Sequence, residues 1–250
     1  MTSENPLDVR TALRFLRGLR DNNDRVWFAA NRAVYDQTIK PQWEAFVTGL
    51  LIRAGSFDER LPLVDPRGCI FRIYRDTRFT KDKSPYKPHL SAFLSPRGWR
   101  GSTPGFYVAL EPGGESLFAA GIYQPEKPVL LAIRERLAAG DRDFDRVLKA
   151  KRLAPYLPLE TDALKLMPRG YDRDHPRADL IRARRYMVRK TYADRVAERD
   201  DFFALIRGAM RDTAPLVAWL DAFVTRTDEL AAQDEAFSPA LRLRGVRSGS

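Results

Sequence analysis

Three short apolar and aromatic runs, "HLSAFLS", "GFYVALE" and "SLFAAGIY", follow one another between His89 and Tyr123. Only the loop "PRGWRGSTPG" and the turn "EPGGES" separate them, and both gaps are rich in Gly, Pro and Ser. Short strands joined by turn-forming residues predict an antiparallel meander. "GCIFRIYR", aromatic and β-branched behind Pro66 and Gly68, reads as a strand leading into it. A helix is the runner-up for that run, because Arg72, Arg75 and Phe79 also lie at helical spacings.

On either side the period changes to that of a helix. Leu7, Leu13, Leu16 and Leu19 share one side of "LDVRTALRFLRGLRDNN", with Asp8 as a start signal, and Asp24 is the expected cap of "DRVWFAANRAVYDQTIK". Pro41 should begin a further helix or kink the same one, which runs to Gly55. After the meander, "EKPVLLAIRERLAAG" and "DRDFDRVLKAK" read as helices. "ALKLMP" and "RRYMVRK" read as strands around a short helix, "HPRADLIRA", with Pro176 in its first turn. "DDFFALIRGAMRDTAPLVAWLDAFVT" predicts one or two amphipathic helices interrupted near Pro215.

The expected fold is therefore α+β: a central, mostly antiparallel sheet, its meander around residues 69–123, covered by N- and C-terminal helices. Residues 1–226 read as a single domain and 227–250 as a flexible tail.

Charge and cysteine usage narrow the function classes. The 250 residues carry a formal net charge of +10, which favours acidic partners, whether nucleic acid or a phosphorylated small molecule. One cysteine, Cys69, excludes an internal disulfide and points to a reducing, cytoplasmic setting. No apolar run approaches the roughly 20 residues that span a bilayer. A Walker loop, a dinucleotide fingerprint and a His-Glu-x-x-His helix are all absent from the sequence, and cysteine-held zinc is excluded by count, so no metal or cofactor is assigned.

The charge is concentrated in "CIFRIYRDTRFTKDKSPYKPH", with six lysines and arginines against two carboxylates. If residues 70–75 are extended, Arg72 and Tyr74 point one way while Phe71, Ile73 and Arg75 point the other, placing Arg75 on the more apolar face. A half-buried guanidinium needs a partner, and Asp76 or a bound anion would serve. In one reading Arg72, Arg75 and Arg78 grip an anion, Lys83 adds charge, Asp76 orients a guanidinium and Tyr86 donates a hydrogen bond. In another, the arginines pair with neighbouring carboxylates and brace a loop. In a third, the basic runs form an exposed stripe for nucleic acid.

Histidine is the side chain best suited to proton transfer near neutral pH, and there are two. His89 ends the basic segment, and His175 lies in "PRGYDRDHPRADLIRARRYMVRK". With Asp76 they are the candidate catalytic groups, for phosphoester chemistry if the protein is an enzyme. The two segments are expected to meet at one cleft, bringing both histidines beside the arginines. Trp99, Tyr107 and Tyr123 flank the meander loops and offer either strand packing or a stacking wall for a base or sugar.

These residues carry a resemblance. Arg72, Arg75, Asp76, Arg78, Phe79, Asp82, Lys83 and Tyr86 match, without departure, the identifying pattern of the family known as domain of unknown function 2461, found in bacteria and within longer fungal proteins. "GFYVALEPGG", "AAGIYQP" and "PRGYDRDHP" extend the likeness to about residue 225. The resemblance implies a shared site; the family has no established activity, substrate or catalytic residue to lend it.

Overall fold

A computed structural model of the chain describes residues 5–78, 81–99 and 102–244, with side chains as far as residue 229. Phe79, part of the basic motif, lies outside the described residues. The N-terminal helices begin where their caps predict. Asp8 accepts from the Thr11 amide at 3.0 Å to open α1 (Val9–Asp21), and Asp24 accepts from the Trp27 amide at 2.8 Å to open α2 (Arg25–Val34). A π-helical turn, Tyr35–Ile39, then joins α2 to α3 (Lys40–Ala54), with Pro41 in the first turn of α3, where its missing N–H costs little. Trp43, Phe46, Val47, Leu50 and Leu51 of α3 are buried.

The expected strand at Gly68–Arg75 is corrected. Asp65 caps a single helical turn, α4 (Pro66–Cys69), by accepting from the Arg67 amide at 3.0 Å, and the chain after it is extended without joining the sheet. It makes single bridges at Ile70 with Ala92 and Tyr74 with Tyr86, so the segment leans on the sheet edge. The anticipated alternation nonetheless survives: Ile73 is buried, Phe71 and Arg75 half-buried, Arg72 and Tyr74 exposed.

The meander forms as expected from β1 (Leu90–Leu94), β2 (Gly105–Leu110) and β3 (Ser116–Ile122), and "RRYMVRK" supplies β4 (Tyr186–Tyr192). The sheet order is β1-β2-β3-β4, antiparallel throughout. "ALKLMP" does not form a strand; nearby, Glu160 alone bridges to Met187 at the β4 edge. Between β3 and β4 lie α5 (Lys127–Ala138), α6 (Arg142–Leu148) and α7 (Ala178–Ile181). Pro176 precedes α7 rather than sitting in its first turn. After β4 come the short α8 (Asp194–Ala197) and the long α9 (Phe202–Arg244).

Pro215 does not interrupt α9, which corrects the expected break. A proline inside a helix costs about 3 kcal/mol. Against that, α9 buries Phe202, Phe203, Ile206, Met210, Leu216 and Leu220. At about 1.5–3 kcal/mol per buried large apolar side chain, that face outweighs the local penalty. The helix continues past Thr227 to Arg244.

The two faces of the sheet differ. Ala92, Val108, Phe118 and Val188 point into the apolar core, against α9 and α3. The opposite face carries Ser91, Phe93, Gly105, Tyr107, Ala119, Gly121, Met187 and Arg189, the alternate positions of the same strands. Gly121 is fixed by backbone contact: its φ is +130°, and a Cβ there would sit 2.1 Å from the Tyr186 carbonyl oxygen. Gly121→Ala is therefore expected to lose roughly 2–3 kcal/mol from combined strain and overlap, measured by chemical denaturation. An unchanged denaturation midpoint would contradict this packing.

Candidate functional site: a cleft on the helix-free face

The strand face turned away from the core forms the floor of a cleft of about 540 Å³, and no residue lining it belongs to a helix. Gly105, Ala119 and Gly121 make the floor low, while Phe71, Phe93, Trp99, Tyr107 and Tyr123 stand around it. Phe71 meets Trp99 edge-on at 5.3 Å between ring centres. Trp99 and Tyr123 remain 55% and 47% exposed, so their rings are open to a stacking partner.

Irregular segments beside the two edge strands supply the polar rims. On the β1 side, the Phe71 amide donates to the Ser91 carbonyl at 3.0 Å and Lys87 donates its amide to the Ile73 carbonyl at 2.7 Å, which brings Lys87 and His89 to the cleft. The Lys87 ammonium lies 5.5 Å from the Phe71 ring centre. On the β4 side, backbone pairing of Glu160 with Met187 carries Glu160, Arg185 and Arg189 to the opposite rim. Arg189 pairs with Glu160 at 2.5 Å, and Arg185 pairs with Asp162 at 2.8 Å while stacking 4.4 Å over Tyr123. The Nε of Arg185 is buried with no hydrogen-bond partner among the described residues. Such an orphaned donor costs about 1–3 kcal/mol until an acceptor reaches it.

Two arginines of the basic motif are paired from within. Arg78 pairs with Asp76 at 2.8 Å and Arg75 pairs with Asp82, while Lys83 donates to the Thr77 carbonyl at 2.8 Å. The Arg78 guanidinium holds the exposed Asp76 carboxyl well below the usual carboxylate range. Arg72 is exposed, with no ion pair recorded among the described residues. Tyr86 is buried and stacked on Phe28 at 4.1 Å, and Asn23 brackets it by accepting from its amide and donating to its carbonyl. Its ring thus locks the motif segment onto α2. The second basic segment does reach the same cleft, but through Arg185 and Arg189. His175 lies elsewhere: it accepts the Arg177 amide at Nδ1 and sits 3.2 Å from the Ala138 carbonyl at the end of α5. Cys69 is buried and its thiol pushed up to about 11 by that burial, which leaves it unreactive at neutral pH.

Glu111 is the residue sequence reasoning missed. The β1–β2 register pairs Leu90 with Leu110, so the next positions outward set His89 opposite Glu111, and His89 Nδ1 lies 3.5 Å from Glu111 Oε2. Burial, then the cations Lys87 and Arg75, hold the His89 imidazole down to about 4. Burial, then repulsion from Glu115, push the Glu111 carboxyl up to about 7, with Arg20 opposing. The contact is thus between a neutral imidazole and a carboxyl that titrates near neutrality, not a fixed ion pair. Tyr107 and Ser91 line the cleft beside His89. Among the described residues no group of His, Cys, Asp and Glu is arranged to hold a metal ion.

Two outcomes follow from these placements. Tyr86→Ala is expected to cost about 3–5 kcal/mol, as other buried aromatic truncations do, whereas Tyr86→Phe stays near neutral, both by denaturant titration. Because the folded state prefers Glu111 neutral, its contribution is complete below its ordinary value of 4.5 and is lost as pH rises through about 7. Glu111→Gln should therefore match the wild type in thermal midpoint at pH 4 and exceed it at pH 8; a constant difference across that range contradicts the assignment.

The chain matches the family model described as a conserved hypothetical protein (DUF2461) over residues 11–219. Among curated proteins and among solved structures, none matches it. No helix of the described residues is long and apolar enough to cross a membrane. The match takes in the basic motif, all four strands and every residue that lines the cleft, and on that extent the chain belongs to the DUF2461 family.

Proposed function

We propose that the protein binds an anionic, phosphate-bearing small molecule with a flat ring, in the cleft on the helix-free face of its sheet. The observation that carries this is the pairing of half-exposed aromatic rings with cationic donors: Trp99 and Tyr123 beside Lys87 and Arg185, whose buried Nε has no hydrogen-bond partner among the described residues. A ring would stack on the aromatics, and the anion would accept from the guanidinium and ammonium, bonds worth about 1.5–3 kcal/mol each when charge-assisted. In this reading the motif acts mainly as a brace. Arg75 and Arg78 are paired with Asp82 and Asp76, and the braced segment holds Lys87 and His89 at the rim. Burial lowers the Lys87 pKa, and Arg72 and Arg75 lower it further, so both add to the positive field there. A cytoplasmic setting suits the lone reduced cysteine.

A thermal-shift screen of ribonucleoside phosphates, sugar phosphates, inorganic phosphate and a short oligonucleotide tests the proposal, run on wild type, Trp99→Ala and Arg185→Gln. At a hundredfold excess over Kd a ligand adds about 2.7 kcal/mol, or roughly 5–10 °C for a chain of this size. The expected result is a shift with a ring-bearing phosphate that both substitutions abolish. A shift that survives both, or one given only by the oligonucleotide and collapsing between low and moderate salt, overturns the small-molecule reading.

A further inference from the structure

We propose that Glu111 and His89 form a proton-transfer pair serving this cleft, with His89 as the group that exchanges a proton with the bound ligand and Glu111 as its positioning residue. The inference rests on the cleft being the ligand site and adds chemistry to it. Three placements carry it. His89 lines the cleft, its Nδ1 faces Glu111 across the extension of the β1–β2 ladder, and Nε2 has no recorded partner among the described residues. A carboxyl on one imidazole nitrogen fixes which nitrogen holds the proton, and so decides what the other nitrogen can do.

The groups facing the pair come from every side. Lys87 and Arg75 act on the imidazole from its own rim, and Tyr107 of β2 stands close by with Ser91. Glu115 of the β2–β3 hairpin and Arg20 of α1 act on Glu111. While Glu111 holds its proton, it donates to Nδ1 and the imidazole carries its own proton at Nε2, so the ring can only donate into the cleft. Once Glu111 is ionised, it accepts from Nδ1–H, and Nε2 carries a free electron pair. His89 then takes a proton from a ligand hydroxyl or a water. The O–H bond breaks, the N–H bond forms, the electron pair stays on oxygen, and Glu111 faces the resulting imidazolium with its negative charge. A bound anion would also offset Lys87 and Arg75, the two cations that oppose charging of the ring.

Imidazole nitrogen NMR on the full-length chain tests this without knowing the ligand, because the sequence holds only two histidines and His89→Gln assigns them. His89 should stay neutral from pH 5 to 9 yet change tautomer, from Nε2–H to Nδ1–H, with a midpoint near 7 that Glu111→Gln abolishes while His175 is unaffected. A single tautomer throughout, or protonation of His89 near pH 6.5, overturns the pair. Diethylpyrocarbonate gives a second readout. The neutral fraction of an ordinary histidine falls about tenfold at pH 5.5, so His89 should be modified at nearly equal rates at pH 5.5 and 7, where an ordinary histidine slows. Adding inorganic pyrophosphate separates the two claims. A tautomer switch that is present but unmoved by pyrophosphate sinks anion binding in the cleft and leaves the pair standing; resonances that move with pyrophosphate but never switch tautomer do the reverse.

Discussion

The one-sided burial of the sheet is the constraint from which the rest of the molecule follows. Four antiparallel strands place Ala92, Val108, Phe118 and Val188 against α9 and α3, and this apolar contact sets the register. Because side chains alternate, fixing that register also fixes what the other face displays. There the residues are small at Gly105, Ala119 and Gly121 and aromatic at Phe93 and Tyr107, so the strands themselves make a floor with taller walls. Among the described residues α9 and α3 cover the core side, and no helix supplies a residue to the cleft.

Charge is distributed to match. The motif segment pairs two of its arginines with its own carboxylates, Asp76 for Arg78 and Asp82 for Arg75, and Tyr86 pins it against Phe28. Exposed pairs of this kind add little stability. Their effect is on position: the segment is held in an extended path beside β1, with Phe71 and Lys87 lining the cleft and Arg72 on the exposed side. Across the floor, Asp162 and Glu160 anchor Arg185 and Arg189 in the same way. The β4 rim therefore consists of cations held by carboxylate contacts, a geometry that leaves further donor capacity for an anion, and Lys87 faces it from the β1 rim.

How much of this was legible in the sequence depended on the range of the interaction. Local signals worked. Asp8 and Asp24 cap their helices, the hairpin "EPGGES" turns at Gly113 and Gly114, both with positive φ, and the meander strands lie where period and turn residues put them. Alternation along residues 70–75 was also correct, although the strand was not: α4 uses Pro66 and Asp65 to start a helical turn, and the motif's paired charges and prolines leave only single bridges. Pro215 misled because a local penalty of a few kcal/mol was weighed without the long-range packing that offsets it. For the site, Trp99, Tyr107 and Tyr123 were identified as a possible wall and all three line the cleft, as does His89. His175 does not, because a histidine after an Asx-type turn is taken up locally by the Arg177 amide. Glu111 was within reach: pairing "HLSAFLS" antiparallel to "GFYVALE" sets it across from His89, a step that needs the register and not just the strands. Arg185 and Glu160 were not, since only the folded β4 edge brings them to the rim.

The account stands or falls on where a ligand sits. Backbone amide shifts of the full-length chain, recorded while titrating a ribonucleoside monophosphate, address this most directly. The predicted result is a set of perturbations confined to the segments around Lys87–Phe93, Gly105–Tyr107, Ala119–Tyr123 and Arg185–Arg189, meeting across the sheet floor. Perturbations centred instead on Asp76–Ser84, or spread along the exposed basic surface with the cleft silent, would contradict it.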